Sequence, residues 1–229
     1  MIDPRFNGPP GTGNGGYVCG RVAAWIDGPA QVRLHVPVPL GRALDVSLDP
    51  PRVLVRDGPT TVATGSPCAL ELEVPTAPTL EEARRASAGY AGLSGHPFPT
   101  CFVCGTARAR SDGLRLFAGP LGDRLVAAAF EPPPDLADGE GLLRPEVAWA
   151  ALDCPGFFAG LLRRDLVGML LGEFAVRLSG PLPTGPLVAF AWPLGTEGRK
   201  IRCGSALAAP DGRLLGVGRA TWILPRAEA

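Results

Sequence analysis

The sequence predicts an α+β protein of two tandem units, each an antiparallel sheet wrapped around a buried central helix, with the first unit truncated. Three observations carry this expectation. Residues 32–41, VRLHVPVPLG, match residues 176–185, VRLSGPLPTG, without a gap at Val, Arg, Leu, Pro, Pro and Gly. The same order of helix, strand, strand, turn and strand surrounds both copies, which is the signature of an internal repeat. Finally, two segments of helical pattern, YVCGRVAAWI and VAWAALDCPGFFAGLL, are apolar on nearly every side, with only Arg21 and Asp153 charged. A helix without a wet face must be wrapped, and the strands that follow are the available wrapping.

The elements follow in order. The first copy has its helix in GYVCGRVAAWI, a strand at the VRL segment and a tight turn at Asp57-Gly58. The strand pattern TTVATGSPCALEL comes next, as a hairpin requires. The second copy repeats this with PEVAWAALD and GFFAGLL, the second VRL segment, the turn Asp211-Gly212 and the strand RLLGVGRATWIL. Between the copies, Thr79-Leu80-Glu81-Glu82 forms a capping box ahead of the polar helix LEEARRASAGYAG. The loop GHPFPTCFVCG, a strand GLRLFAG, a turn over residues 120–123 and a strand RLVAAAFEP lead into the second central helix. The first copy lacks that leading strand pair. The expected boundaries are a first unit at 1–74, a linker with a surface helix at 75–100 and a second unit at 101–229.

Composition excludes several classes. The 229 residues carry 22 Lys plus Arg and 22 Asp plus Glu, so no basic patch favours nucleic acid or an anionic membrane surface. The start MIDPRFNGPP lacks a secretory pattern, and VGMLLGEFAV is too short for a membrane span and carries Glu173. The expectation is a cytoplasmic protein whose six cysteines are reduced thiols. Cys19, Cys68, Cys154 and Cys203 lie in apolar surroundings, where cysteine packs as a small hydrophobe.

Two stretches, CFVCGTARARSDGLRL and RPEVAWAALDCPGFFA, resemble the PaaI-like acyl-CoA thioesterases of the hotdog-fold superfamily. In that family a His-Gly-Gly helix start is followed nine residues later by an acid. Counting back from Asp153 puts Arg144-Pro145-Glu146 where His-Gly-Gly would stand, while Asn14-Gly15-Gly16 in the first half keeps the glycine pair and Ala23 replaces its acid. The family draws the helix-start amides and the acid from opposite hotdog units. The resemblance therefore implies one surviving site between the two halves and one degenerate site. The surviving site pairs Gly16 with Asp153; the other would pair Glu146 with Ala23, and Pro145 there lacks an N–H. In the surviving site the Gly16 and Tyr17 amides would polarise a thioester carbonyl, and Asp153 would be nucleophile or general base. Asn14, Gly15, Trp149, Phe157 and Arg199 complete the expected site, on a coenzyme A or carrier-protein thioester, with no cofactor and no metal. The expected activity is acyl-thioester hydrolysis. The alternative is a non-catalytic acyl-binding or protein-interaction module that kept the fold. Hotdog sheets commonly pair edge to edge, so a homodimer through the VRL strands is a further expectation.

Plainer uses stand beside these. Asp153 in DCPG would serve as the N-cap of a second helix, GFFAGLL, and Pro155 would kink the helix. Asn14-Gly15-Gly16 would be a turn. Trp25, Trp149, Phe157 and Phe158 at helical spacing suit a core. Arg21, Arg144, Arg199 and Arg202 would meet coenzyme A phosphates or simply be solvated. Cys101 and Cys104 with His96 make three zinc ligands, but no fourth is evident, so packing or a turn beside the ligand channel is the expected use. A redox dithiol would need a βαβ context that is absent. His35 alternates within a strand, as an edge or interface residue does. No histidine falls on either central helix, against a hotdog dehydratase. The segment Gly11-Thr-Gly-Asn-Gly-Gly lacks the Lys-Ser/Thr of a phosphate loop.

Overall fold

A computed structural model describes residues 1–162, 164–165 and 167–225. Among the described residues, three α-helices and ten strands are formed. In chain order they are α1 (Gly15–Ala23), β1 (Ala30–Leu34), β2 (Asp45–Asp49), β3 (Arg52–Asp57), β4 (Thr60–Pro67), α2 (Leu80–Ser87), β5 (Gly119–Pro120), β6 (Val126–Phe130), α3 (Pro145–Gly160), β7 (Leu170–Leu178), β8 (Leu187–Glu197), β9 (Lys200–Ala208) and β10 (Leu214–Ile223).

All ten strands join one antiparallel sheet in the order β2-β3-β4-β1-β7-β10-β9-β8-β6-β5. Its middle is a palindrome: outward from the seam, β1-β4-β3-β2 runs on one side as β7-β10-β9-β8 does on the other. The strands that carry the two VRL segments, β1 and β7, pair at that seam. Val32 lies opposite Phe174 and Ala30 opposite Val176, and Arg33 pairs with Glu173 at 2.8 Å. This corrects the expectation that the VRL strands offer an edge to a second chain. They satisfy each other inside the chain, and the sheet's edges are β2 and β5. The strands β5 and β6 lie outside the palindrome, on the side of the second copy.

The central helices are buried because both flanks are covered. Every residue of α3 from Val147 to Gly160 is buried. The helix packs against β8, β9 and β10 on one side and α1 on the other. The α1–α3 contact is close because α1 presents glycine. A Cβ at Gly16 would fall 2.4 Å from Asp153 Cβ, and one at Gly20 would fall 2.6 Å from Glu146 Cα. Glycine is the residue that lets two backbones approach this way. The outer face of the sheet is not bare either. Val188, Phe190 and Trp192 of β8 join Ala83 and Ala86 of α2 in a second cluster, while Leu187, Ala189 and Ala191 face the main core. With both faces covered, β8 is buried at every position from Leu187 to Trp192.

Three local expectations need comment. The capping box at Thr79 is formed, with both reciprocal bonds to Glu82. The helix it starts ends at Ser87, earlier than the pattern suggests. The segment GLRLFAG is not a ladder strand before Gly119, because its amides go elsewhere: Leu114 N donates to Phe102 O at 2.9 Å and Leu116 N to Val103 O at 2.8 Å. It straps the cysteine turn instead of extending the sheet. The cap role for Asp153 is also overturned, since α3 runs unbroken past Asp153 and through Pro155.

Candidate active site

A cavity of about 360 Å³ opens beside the start of α1 and the middle of α3. Its walls are mostly apolar, from Val18, Leu34, Phe98, Phe157, Met169 and Leu171, and Asn14, Gly15, His96, Asp153, Arg199 and Trp222 add polar atoms. Asn14 is the N-cap of α1; its Oδ1 accepts from the Tyr17 N–H at 2.9 Å. Asp153 is 1 % exposed, and its Oδ2 accepts from the Gly16 N–H at 2.8 Å. Burial pushes the Asp153 carboxyl up to about 8, against the partial stabilisation that the Gly16 amide gives its charged form.

Both amides expected to face substrate are therefore engaged inside the protein. Gly16 donates to Asp153 and Tyr17 to Asn14, and neither residue lines the cavity. The Tyr17 ring instead stacks on Phe6, with centroids 3.9 Å apart. The helix-start amide left over is that of Gly15. Among the described residues no acceptor takes its N–H, and Gly15 lines the cavity. An unsatisfied N–H at the first position of a helix is the normal consequence of helix geometry. Asn14, Gly15, Asp153, Phe157 and Arg199 thus gather at one cavity. Trp149 does not; one turn before Asp153, it packs on Phe174, with centroids 5.5 Å apart.

Four buried side-chain polar atoms have no hydrogen-bond partner among the described residues: Asp153 Oδ1, His96 Nε2, Trp222 Nε1 and Ser205 Oγ. The first three belong to residues lining this cavity. Buried polar atoms are usually hydrogen-bonded, so three unpartnered ones on residues of one cavity make it the candidate site. Their chemistry is complementary. His96 Nδ1 accepts from the Phe98 N–H at 2.8 Å, which in the neutral ring leaves Nε2 as the donor. Burial pushes the His96 pKa down, favouring that neutral ring. Trp222 Nε1 is a donor, the Gly15 amide is a donor, and Asp153 Oδ1 is an acceptor when ionised.

Sequence reasoning missed Trp222, which gave no signal within a strand of β pattern, and assigned His96 only to the cysteine pair. It also missed Cys154 as a companion of Cys101 and Cys104. Those three sulfurs all lie within 4.8 Å of one another. The start of α3 matches that of α1 in register: Arg144 is its N-cap, without a side-chain cap bond, and Pro145 follows. The Arg144 guanidinium turns away, donating from Nε to Leu136 O at 3.1 Å.

No protein-family description matches the chain, and no curated protein matches it. Solved structures do. A candidate thioesterase from Novosphingobium aromaticivorans is similar over 98 % of this chain and 94 % of its own, with a TM-score of 0.63 at 14 % identity. The tesB protein of Mycobacterium avium subsp. paratuberculosis is similar over 96 % and 90 %, with a TM-score of 0.63 at 12 % identity. A candidate thioesterase II from Thermobifida fusca is similar over 97 % and 91 %, with a TM-score of 0.58 at 14 % identity. No helix among the described residues is long and apolar enough to cross a membrane. The likeness spans nearly the whole chain and shows the fold, which is the hotdog fold of these thioesterase-named structures.

Proposed function

We propose that the chain is an acyl-thioester hydrolase, built as two fused hotdog units with one active site between α1 and α3. The observation that carries this is the set of unpartnered polar atoms around an apolar cavity. A thioester carbonyl needs N–H donors, and Gly15, His96 and Trp222 supply them. The attacking water needs a base, and Asp153 Oδ1 is a buried acceptor held by the Gly16 bond to its other oxygen. Asp153 would take a proton from water as the oxygen attacks the carbonyl carbon. The C–S bond then breaks, Asp153 returns that proton to the leaving sulfur, and the thiol and the carboxylic acid depart. The apolar walls suit an acyl chain, and Arg199 at the rim suits a phosphate of coenzyme A or of a carrier protein's prosthetic arm. The palindromic strand order and the matched helix starts support the two-unit description.

The engagement of the Gly16 and Tyr17 amides favours a second reading, a module that binds acyl thioesters without turning them over. Thiol release from a panel of acyl-coenzyme A esters separates the two, with wild type and Asp153→Asn side by side and binding measured in parallel. Turnover that collapses in the folded, ligand-binding variant supports the hydrolase. Binding without turnover on any ester supports the module. Turnover untouched by the substitution removes Asp153 from the chemistry.

A further inference from the structure

Cys101 and Cys104 sit in a turn that reaches α3 at Cys154. All three thiols are buried. The Cys101 and Cys154 sulfurs are 3.9 Å apart, and the full triangle fits within 4.8 Å. Tetrahedral zinc at Zn–S distances of about 2.3 Å places its sulfur ligands about 3.8 Å apart. The triangle is thus close to the size a metal would impose.

Hydrogen-bond donors gather around Cys101 and Cys154. The backbone N–H groups of Val103 and Cys104 aim at Cys101 Sγ. Asn14 Nδ2 lies 3.8 Å from Cys101 Sγ and 3.7 Å from Cys154 Sγ. A divalent ion displaces the thiol protons as it binds, and donors of this kind then bond and orient the ligating sulfurs. The turn itself is held tightly. Gly105 N donates to Cys101 O at 2.9 Å, and a Cβ at Gly105 would fall 2.5 Å from the carbonyl oxygens of Cys101 and Pro99. The strap Leu114–Leu116 ties down Phe102 and Val103 from the other side. Asp153, the residue before Cys154, supplies a second pointer: it is almost wholly buried and leaves Oδ1 unpartnered in the cavity that the three cysteines also line.

We propose that Cys101, Cys104 and Cys154 form a three-thiolate site for a zinc-type divalent ion, with the fourth coordination position open to the cavity. Two ligands come from the turn and one from the central helix, so the ion would pin the 101–105 turn to α3. Open fourth positions filled by water or substrate distinguish reactive zinc sites from structural ones. The site stands independently of the hydrolase reading, because its test reads metal and not turnover.

The test is zinc content by mass spectrometry of protein purified under reducing conditions, together with the absorption spectrum after cobalt exchange. About one zinc per chain is expected, with the charge-transfer and d–d bands of tetrahedral cobalt thiolate. Cys154→Ser and Cys101→Ser should abolish the stoichiometric ion, whereas Cys19→Ser and Cys203→Ser, buried thiols outside the cluster, should keep it. Metal-free wild type that takes up neither zinc nor cobalt overturns the proposal. So does full zinc retention in Cys154→Ser, or a native disulfide within the trio. If a cluster variant fails to fold, the wild-type cobalt spectrum decides alone: thiolate bands support the site and their absence overturns it.

Discussion

The Gly16 N–H donates to Asp153 Oδ2 across the contact between α1 and α3, at 2.8 Å. One hydrogen bond thereby joins the first copy of the repeat to the second and orients a buried carboxylate. It uses an amide that helix geometry leaves free, and it leaves the other oxygen of Asp153 for the cavity.

That contact depends on the absence of a side chain at Gly16. A Cβ there would lie 2.4 Å from Asp153 Cβ, 2.7 Å from Trp149 O and 2.9 Å from Ala150 Cα. Two of the three are backbone atoms, which cannot swing aside. Gly16→Ala should lower stability by about 1–3 kcal/mol, at the upper end of overpacking costs. For a chain of this length that is roughly 2–4 °C of melting temperature per kcal/mol. Urea and thermal melts check it; an unchanged midpoint would mean that the helices are not this close.

Asp153→Asn should separate stability from chemistry. The amide oxygen of asparagine still accepts from Gly16, and a carboxyl pushed up to about 8 is already mostly neutral at pH 7, so the change removes little charge. Stability should therefore stay within about 1 kcal/mol of wild type, in the range of near-isosteric changes. Thiol release should fall by about 10²–10⁴-fold, the usual worth of a general base. Asp153→Ala should lose both, since it also leaves the Gly16 N–H buried and unpaired. Parallel melts and rate measurements on the two variants test this directly.

The surface helix makes an acid-side prediction. Glu82 accepts from the Thr79 N–H and from Thr79 Oγ1, both at 2.8 Å, while its own N–H donates to Thr79 Oγ1 at 3.2 Å. These bonds hold the Glu82 carboxyl below its ordinary value. The unfolded chain then binds a proton at higher pH than the folded one. The stabilisation is present above the ordinary glutamate value of about 4.3 and is lost as pH falls through the lower folded value. Thr79→Ala should cost about 1 kcal/mol at neutral pH. Glu82→Gln should flatten the acid limb, so that its urea midpoint approaches wild type as pH drops. A gap that widened on acidification would contradict the assignment.

Much of this was legible in the sequence for local reasons. An all-round apolar pattern requires burial, so α3 could be read directly; α1 stops at Ala23, and Trp25 beyond it is exposed, not core. Asp57-Gly58 and Asp211-Gly212 need residues tolerant of positive φ, and the structure has Gly58 at 56° and Gly212 at 85°. Thr79 and Glu82 form a motif closed within four residues. What was not legible depends on contacts between distant segments. Nothing in VRL says that β1 pairs with β7 and not with another chain. GLRLFAG has strand composition, yet its amides are claimed by Phe102 and Val103, whose position the fold decides. Cys154 reads as an apolar helix residue until the 101–105 turn arrives beside it. The site fared similarly: Asp153 could be singled out as a lone charge in an apolar helix. Which helix-start amide stayed unengaged depended on where the carboxylate lay: Gly16 N–H meets Asp153, and Gly15 is the cavity-lining residue left without an acceptor among the described residues.

The Gly15 amide can be tested by a substitution that the protein already uses elsewhere. Pro145 occupies the first position of α3, and proline suits that position because the N–H it removes has no helical partner. Asn14, the preceding residue, has φ −59° and ψ 130°, within the extended region that a following proline demands. Gly15→Pro should therefore keep α1 while deleting a helix-start N–H that has no acceptor among the described residues. A new Cβ meets Leu171, at 2.9 Å from Cδ2 and 3.0 Å from Cβ, so steric effects need a control. Gly15→Ala adds the same Cβ and keeps the N–H. If this amide stabilises the charge that develops on a thioester oxygen, Gly15→Pro should turn over about 10²–10³-fold more slowly than Gly15→Ala, the loss measured for single oxyanion donors. Both should melt at similar temperatures. Equal rates in the two variants would leave His96 and Trp222 as the donors that matter, and the approach of substrate would then be from the β10 side of the cavity.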